Sequence, residues 1–536
     1  VTLLHLAKPD ADLPPKLDRI SDYLTRGAQA FPDRPALITG ETETTYAEAN
    51  ANVDAIAKAL IAAGVQKGAR VATLLPPCSL FFEIFLAAAS IGAIWLGLNP
   101  KHTRREMAHP LRDATPSLII ARSMIADRDV ASELRAVVGA DASPAHLVAA
   151  PDPPSADDFQ SWDAFLKAGD AVTDEALQAA RAEVAAADPC LIVYTSGTTG
   201  APKGAVLTHQ GLTYCSQTDA KYNTASNGQR MLCNFPINHI ACVGDVCCTT
   251  LVVGGTIVFM EEFDPRGVLE TVERRKLTHL GQIPAMFQMV LAHPDFEAFD
   301  LSSLKQILWG GNPASVDLVR RLRAICPNLA NVYGMTETTG NVIFARGAPI
   351  TDEQFANSIG WAPLEYEVAI LDEAGAPAAQ GEIGEIHVRG PFVMQGYWRN
   401  PEATAQAFTD DGWLRTGDLA ARRADGMIAL AGRRSQMFKS GGYNVYPAEV
   451  EQAIESHPGV ALAAVVAVPD PLYHEVGHAF VVPAGEDLTE DALRSHCRDV
   501  LANYKIPKTF ALIDDVPMLP NGKIDTRVLA DRARGS

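Results

Sequence analysis

From about residue 20 to residue 430, helical stripes of apolar residues alternate with short runs dense in Val, Ile, Leu and Phe. The runs at 70–75, 117–121, 256–259 and 306–308 are bounded by polar residues, Gly or Pro, and predict strands. Strands alternating with helices in this way predict an α/β fold of layers with largely parallel pairing. The most apolar stretch, 84–98, is shorter than a membrane span and is interrupted by Ser90 and Gly92, so it reads as a buried helix passing into a strand. Between about 140 and 172, Ala, Pro and Asp accumulate and no aromatic residue precedes Phe159; a surface excursion without chemistry is expected there.

Beyond Leu430 the texture changes. The polar string Gly432-Arg433-Arg434-Ser435-Gln436 reads as a boundary, which divides the chain into a large N-terminal domain, 1–432, and a small α+β domain, 433–536. In the latter, Pro447 opens a helix with acids in its first turn, and 461–468 reads as a strand. A chain of 536 residues exceeds what one core organises, and a hydrophobic content of 47% fills more than one.

The formal charge of −19 opposes general affinity for nucleic acid or anionic membranes, so an anionic ligand must meet a local basic site. Nine cysteines form no CxxC pair and leave one over in any disulfide scheme, which points to a reducing, cytoplasmic setting. Cys247-Cys248, beside Asp245, has no His at ligand spacing, and buried apolar thiols are expected. The first residues lack a signal-peptide core of sufficient length, and a processed segment upstream stays open.

One segment concentrates phosphate chemistry: Tyr194-Thr195-Ser196-Gly197-Thr198-Thr199-Gly200-Ala201-Pro202-Lys203-Gly204. Its glycines let successive N–H groups converge on an anion, its hydroxyls add donors and Lys203 adds a compact positive charge. The spacing is not that of a P-loop. Alone, the string also fits a Gly/Ser/Thr linker, but strand-like residues 191–194 and the ordered pattern after Val206 hold it between structured elements. Further along come Pro236-Ile237-Asn238-His239, Gly310-Gly311-Asn312-Pro313 and Tyr333-Gly334-Met335-Thr336-Glu337-Thr338. The last offers an aromatic face, a hydroxyl and a carboxylate, the needs of a nucleotide with its metal, although the same letters fit a turn entering a helix. Asp418 follows the tight turn at Gly417, where an aspartate bonding its own backbone is common. Lys523 stands in Pro520-Asn521-Gly522-Lys523, and a turn lysine is ordinarily solvated.

In this order and rough spacing, over residues 20 to 530, these motifs resemble those of the adenylate-forming enzymes: acyl-CoA synthetases, peptide-synthetase adenylation domains and beetle luciferases. The resemblance implies a large α/β domain with a small mobile C-terminal domain that rotates between half-reactions. It implies ATP phosphates at Thr195, Ser196, Gly197, Thr198, Thr199, Gly200 and Lys203, and adenine at Gly311, Asn312, Pro313 and Tyr333. Thr336 would meet the α-phosphate, Glu337 Mg²⁺, Asp418 the ribose, and Arg433 the ribose or phosphates. His239, Asn238, Trp309, Gly310 and Gly340 would border the acyl pocket, with Trp309 either as its floor or as ordinary core packing. Lys523 would be the adenylation lysine, and Lys439, Gly441 and Gly442 would line the coenzyme A channel. The hinge falls on Ser435, where Asp or Lys is usual.

An ATP-dependent carboxylic acid:CoA ligase is the function implied, its partners being a small carboxylic acid, ATP and CoA, with no nucleic acid and no membrane span. Monomer and homodimer are both open. The expected pocket segments 238–244, 281–287, 309–311 and 340–344 contain no Asp, Glu, Lys or Arg, which points to an uncharged aliphatic or aryl tail. An amino-acid-activating enzyme needs an aspartate near Phe235-Pro236-Ile237-Asn238 to pair with the ammonium, and none is present. Transfer to another acceptor and a luciferase-like oxygenase remain alternatives. A non-catalytic nucleotide-binding relative should have lost Lys523 or Glu337, and both are present.

Overall fold

Helix Ser79–Ser90 is apolar on every side and 10 of its 12 residues are buried, because two sheets enclose it. The computed structural model describes residues 5–6, 13–125, 127–139, 146–151, 159–195, 202–223, 225–346, 349–485, 487–518 and 524–535. Among these, a seven-stranded sheet runs in the order Gly396–Tyr397, Lys203–Thr208, Pro189–Thr195, Ile94–Gly97, Arg70–Leu74, Leu118–Ala121, His146–Ala149. An eight-stranded sheet runs Gly340–Arg346, Leu329–Met335, Gln306–Gly310, His279–Gln282, Arg230–Cys233, Thr256–Phe259, Pro35–Thr39, Thr42–Thr45. Pairing is parallel from Pro189–Thr195 to His146–Ala149 in the first sheet and from Leu329–Met335 to Pro35–Thr39 in the second.

Alternation along these strands sorts side chains into separate cores. Val71, Leu191, Met231 and Ile257 face the central layer, where Ser79–Ser90 and Tyr46–Ala62 lie between the sheets. Ala72, Ile94 and Ile119 face outward onto the helices Arg104–Ala114 and Val130–Val138. Leu232, Val258 and Ile307 face the opposite exterior, under the helices Pro265–Arg275 and Val316–Ile325. The result is helix, sheet, helix, sheet, helix. Helix starts follow local chemistry: Thr45 and Thr103 close reciprocal capping boxes with Glu48 and Glu106, and Asp264 caps a helix that begins at Pro265.

A four-stranded antiparallel sheet, Glu367–Leu371, Ile383–Arg389, Leu414–Arg422, Ile428–Arg433, adds its own core against Tyr222 and Phe344. A smaller C-terminal domain follows. In it, Tyr443–Val445, Phe438–Ser440, His474–Pro483 and Val460–Asp470 form a sheet joined by Thr509–Leu512. Helices Pro447–Glu455 and Glu490–Val500 cover one face, and Thr526–Gly535 covers the other.

The strands expected at 70–75, 117–121, 256–259 and 306–308 are present, as are the buried helix and strand within 84–98. The stretch 140–172 differs from expectation. His146–Ala149 adds the last strand of the seven-stranded sheet, and helix Trp162–Ala168 buries Phe165 in the central layer. Four consecutive residues are too few to show a period, so this strand is fixed by its neighbour Leu118–Ala121. Among the described residues no helix is long and apolar enough to cross a membrane.

Candidate active site

The carboxyl ends of the strands in the two large sheets face one another, the position where open α/β sheets bind ligands. Two contacts establish this. The hydroxyl of Thr195, last residue of its strand in one sheet, reaches Glu337 Oε1 at 3.5 Å, just past the end of Leu329–Met335 in the other. Gly97 closes Ile94–Gly97, and a Cβ there would stand 2.6 Å from the Ile237 carbonyl oxygen, so the segment carrying Asn238 and His239 reaches this strand end only because the residue is glycine.

Glu337 is buried in the single turn Thr336–Thr338. The Thr338 hydroxyl lies 2.9 Å from the Met335 carbonyl and 2.7 Å from that of Gly340, and the Met394 amide donates to the Glu337 carbonyl at 2.9 Å. Thr339 follows at φ 58°, a left-handed conformation that strains a β-branched residue. The Tyr397 hydroxyl donates to Glu337 Oε1 at 2.9 Å, and Lys203 Nζ stands 5.2 Å from the centre of the Tyr397 ring. Burial, and then the Glu337 charge, raise the Tyr397 phenol above its ordinary range, so it remains a donor. Glu337, Thr195 and Thr336 offer hard oxygen donors only, a set that suits Mg²⁺.

A second group surrounds Asp418. The Tyr333 hydroxyl donates to Asp418 Oδ2 at 2.7 Å and Arg433 Nε stands 2.9 Å from Oδ1. Asp418 and Arg433 are register partners on adjacent strands. Burial, then the Asp418 charge, raise Tyr333, while the Asp418 charge raises Arg433. Each carboxylate oxygen keeps a further lone pair, so Asp418 has capacity for ribose hydroxyls. Glu337 lies close enough for its charge to act on Arg433, which joins the two groups in one electrostatic unit. Beneath them, burial opposes ionisation of Glu385, but the His387 hydrogen bond, the Gly417 amide and the Arg434 charge hold its carboxyl below the usual range.

Thr195, Lys203, Tyr333, Thr336, Glu337, Asp418 and Arg433 are thus brought together in one linked group. Gly311, Asn312 and Pro313 form the turn after Gln306–Gly310, with Gly311 at φ 83°, and a Cβ on Gly310 would press to 2.9 Å on the Val332 carbonyl oxygen. His239 Nδ1 accepts the Ala241 amide at 3.1 Å, and Asn238 Oδ1 is buried with no hydrogen-bond partner among the described residues. Ser196, Gly197, Thr198, Thr199, Gly200 and Lys523 lie outside the described residues. Lys439, Gly441 and Gly442 do not join the cluster: the Lys439 amide meets Glu475 at 3.4 Å and the Gly441 amide meets the Tyr473 carbonyl at 3.0 Å, both within the small domain. Ser435 is exposed in the turn closed by the Gln436 and Met437 amides on the Arg433 carbonyl, each at 3.0 Å.

One expectation needs correction. Trp309 is not the floor of the acyl pocket. With Ile307 it faces the outer core and its ring lies 5.4 Å from that of Phe355, whereas Leu308 and Gly310 face inward. Asp245, one residue beyond the expected pocket segment 238–244, stands against Gly340, where a Cβ would lie 2.4 Å from its Oδ1. Tyr397, which donates to Glu337, was not anticipated from the sequence, and neither was the approach of Asp245 to Gly340. A lone aspartate inside the apolar run 240–253 was the clearest available signal. The cysteines of the described residues are buried and free, and those at 233, 242 and 247 bring their sulfurs within 4.8 Å of one another. Burial raises the Cys242 and Cys247 thiols, so they fill space as neutral apolar groups.

Comparison with known proteins agrees with this geometry. A family model described as AMP-binding enzyme matches residues 24–398, and one described as AMP-binding enzyme C-terminal domain matches 449–523. A feruloyl-CoA synthase from an Amycolatopsis species is 37% identical over 507 residues, covering 94% of this chain and 97% of that protein. An indoleacetate–CoA ligase of Aromatoleum aromaticum is 32% identical, covering 96% of this chain and 98% of its own length. The crystal structure of ATP-bound MatB from Rhodopseudomonas palustris superposes with a TM-score of 0.81 at 27% identity, over 96% of this chain and 99% of that one.

Proposed function

Because the chain belongs to the AMP-binding enzyme family, and within it to the acyl- and aryl-CoA ligases, we propose how its residues divide the work of the two half-reactions. The enzyme is an ATP-dependent acid:CoA ligase. A substrate carboxylate oxygen bonds to the α-phosphorus of ATP as the bond to pyrophosphate breaks. The CoA sulfur then bonds to the acyl carbon as AMP leaves.

The observation that carries the residue roles is the linkage of Tyr333, Asp418 and Arg433 beside Glu337. A buried carboxylate fixed by a phenol and a guanidinium suits two adjacent ribose hydroxyls and orients the nucleotide. The Thr336 hydroxyl, one residue before Glu337, then faces the α-phosphate. Thr195 and Lys203 hold the terminal phosphates, and Tyr397 holds Glu337 in place. Mg²⁺, bound by Glu337, would neutralise phosphate charge. Alignment of the carboxylate with phosphorus supplies the remaining help. His239 and Asn238 border the entrance to the acyl pocket, and Leu308, Gly310 and Gly340 line it.

The small domain, which follows the hinge at Ser435, is the moving part, and Arg433 stays with the large domain on strand Ile428–Arg433. Lys523 serves adenylation, and rotation about Ser435 replaces it with the Lys439–Gly442 hairpin for thioester formation. A cytoplasmic location agrees with the free thiols. The apolar pocket suits an uncharged aryl or aliphatic acid, and the relatives named for feruloyl-CoA and indoleacetate favour the aryl class.

The test is a split assay. Lys523→Ala is expected to lose adenylate formation, read as acid-dependent pyrophosphate release, while still converting supplied acyl-AMP and CoA to thioester. Equal loss of both half-reactions would overturn the division of labour.

A further inference from the structure

Asp245 is the only Asp, Glu, Lys or Arg in the apolar run 240–253. The segment around it, Ala241–Cys248, is wound as a π-helix, a geometry frequent at functional sites, and it begins directly after the His239 segment. Its turns lie against the start of strand Gly340–Arg346, where a Cβ on Gly340 would stand 2.4 Å from Asp245 Oδ1 and 3.3 Å from Cys215 Sγ. Glycine at 340 is what makes room for the carboxyl group. That strand starts two residues after the Thr336–Thr338 turn, so Asp245 stands against the element that directly follows the turn of Glu337.

The two carboxyl groups of this region are served unequally. Asp219 accepts the side-chain amides of Asn223 and Asn341, each at 2.9 Å, and bonds with Thr249. Among the described residues Asp245 has one hydrogen-bond partner, the backbone amide of Asn341. A carboxyl group has capacity for about four hydrogen bonds, and buried polar groups are ordinarily satisfied. Although protein surrounds it, Asp245 keeps part of its surface accessible, as a residue lining a cavity does. Burial, then the neighbouring Asp219, disfavour its ionised form, and in either form the carboxyl oxygens accept from a hydroxyl group.

We propose that Asp245 forms a polar subsite on the acyl-pocket wall and takes a hydroxyl group carried on the substrate tail, away from the reacting carboxylate. The inference rests on the acid:CoA ligase reading and narrows its substrate class to hydroxyl-bearing acids. The remaining pocket residues grip the apolar frame, and the subsite fixes its register. Removal of the hydroxyl leaves the Asp245 group unmatched, which is why such sites discriminate more strongly than apolar ones.

The purified full-length chain can be assayed for AMP release and thioester formation with benzoate, phenylacetate, cinnamate, their 4-hydroxy counterparts and straight-chain acids. In the best aryl pair the hydroxylated acid is expected to lead in kcat/KM by about tenfold or more. Asp245→Asn should shrink that ratio to a few-fold, and Asp245→Leu should reverse it. If Asp245→Leu melts early, the wild-type ratio and the nearly isosteric Asp245→Asn decide. Equal use of both members of every pair, a best substrate without a hydroxyl, or variants that keep the wild-type ratio would each overturn the subsite while leaving the ligase intact. Failure of every acid to give AMP would overturn the ligase reading and the subsite with it.

Discussion

Glu337 is held by Tyr397 and Thr195 with its side chain buried, so its charge is placed before any ligand arrives. Glu337→Gln keeps the shape and the Tyr397 contact but removes the charge that a hard cation prefers. The expected outcome is a Mg²⁺ activation curve displaced to higher concentration, read by titration at saturating ATP; an unmoved curve would exclude Glu337 as a metal ligand. Trp309 makes the opposite case. Fully enclosed beside Phe355, its replacement by Ala is expected to cost about 3–5 kcal/mol in urea unfolding while the order of preferred acids stays unchanged. The period-two alternation that separates Trp309 from Leu308 was legible in the letters. Which face was inner was not, because strands buried on both faces carry apolar residues on each.

At the scale of elements, helix Pro447–Glu455 is bound to strand Val460–Asp470 by two carboxyl groups. Glu451 accepts the Val465 amide at 2.8 Å and Glu455 accepts the Ala463 amide at 3.0 Å. Burial pushes both carboxyl groups up to about 7. A raised carboxyl pKa favours the folded state fully below the unfolded value near 4.5, and that contribution fades as pH climbs through 7. The small domain should therefore melt lower at pH 8 than at pH 5, and Glu451→Gln with Glu455→Gln should flatten the difference in a calorimetric pH series. Elements with long or bounded apolar runs were readable in advance, as the pair Ser79–Ser90 and Ile94–Gly97 illustrates. The π-helical winding of Ala241–Cys248 was not, since a run without a polar stripe shows no period from which a helix type can be inferred.

Across the whole molecule, the apolar clusters divide cleanly. Those of the large domain end at Ile428 with Leu430 packed beside them, and those of the small domain begin at Phe438, with no residue shared. A chain ending at Arg434 is accordingly expected to fold and melt cooperatively, yet to form no thioester; an aggregated or non-cooperative product would show that the large core depends on the small one. The order of the nucleotide motifs along the chain was legible because each is a short string at a strand end. The pairing of Tyr333 with Asp418, 85 residues apart, needed the fold to bring their strands together. The same arrangement places the joint where evolution can cut. The Asp418–Arg433 rung closes the last sheet of the large domain, so a crossover between related genes just past that codon would preserve every backbone rung upstream. It would deliver a foreign C-terminal domain without breaking a sheet of the large one.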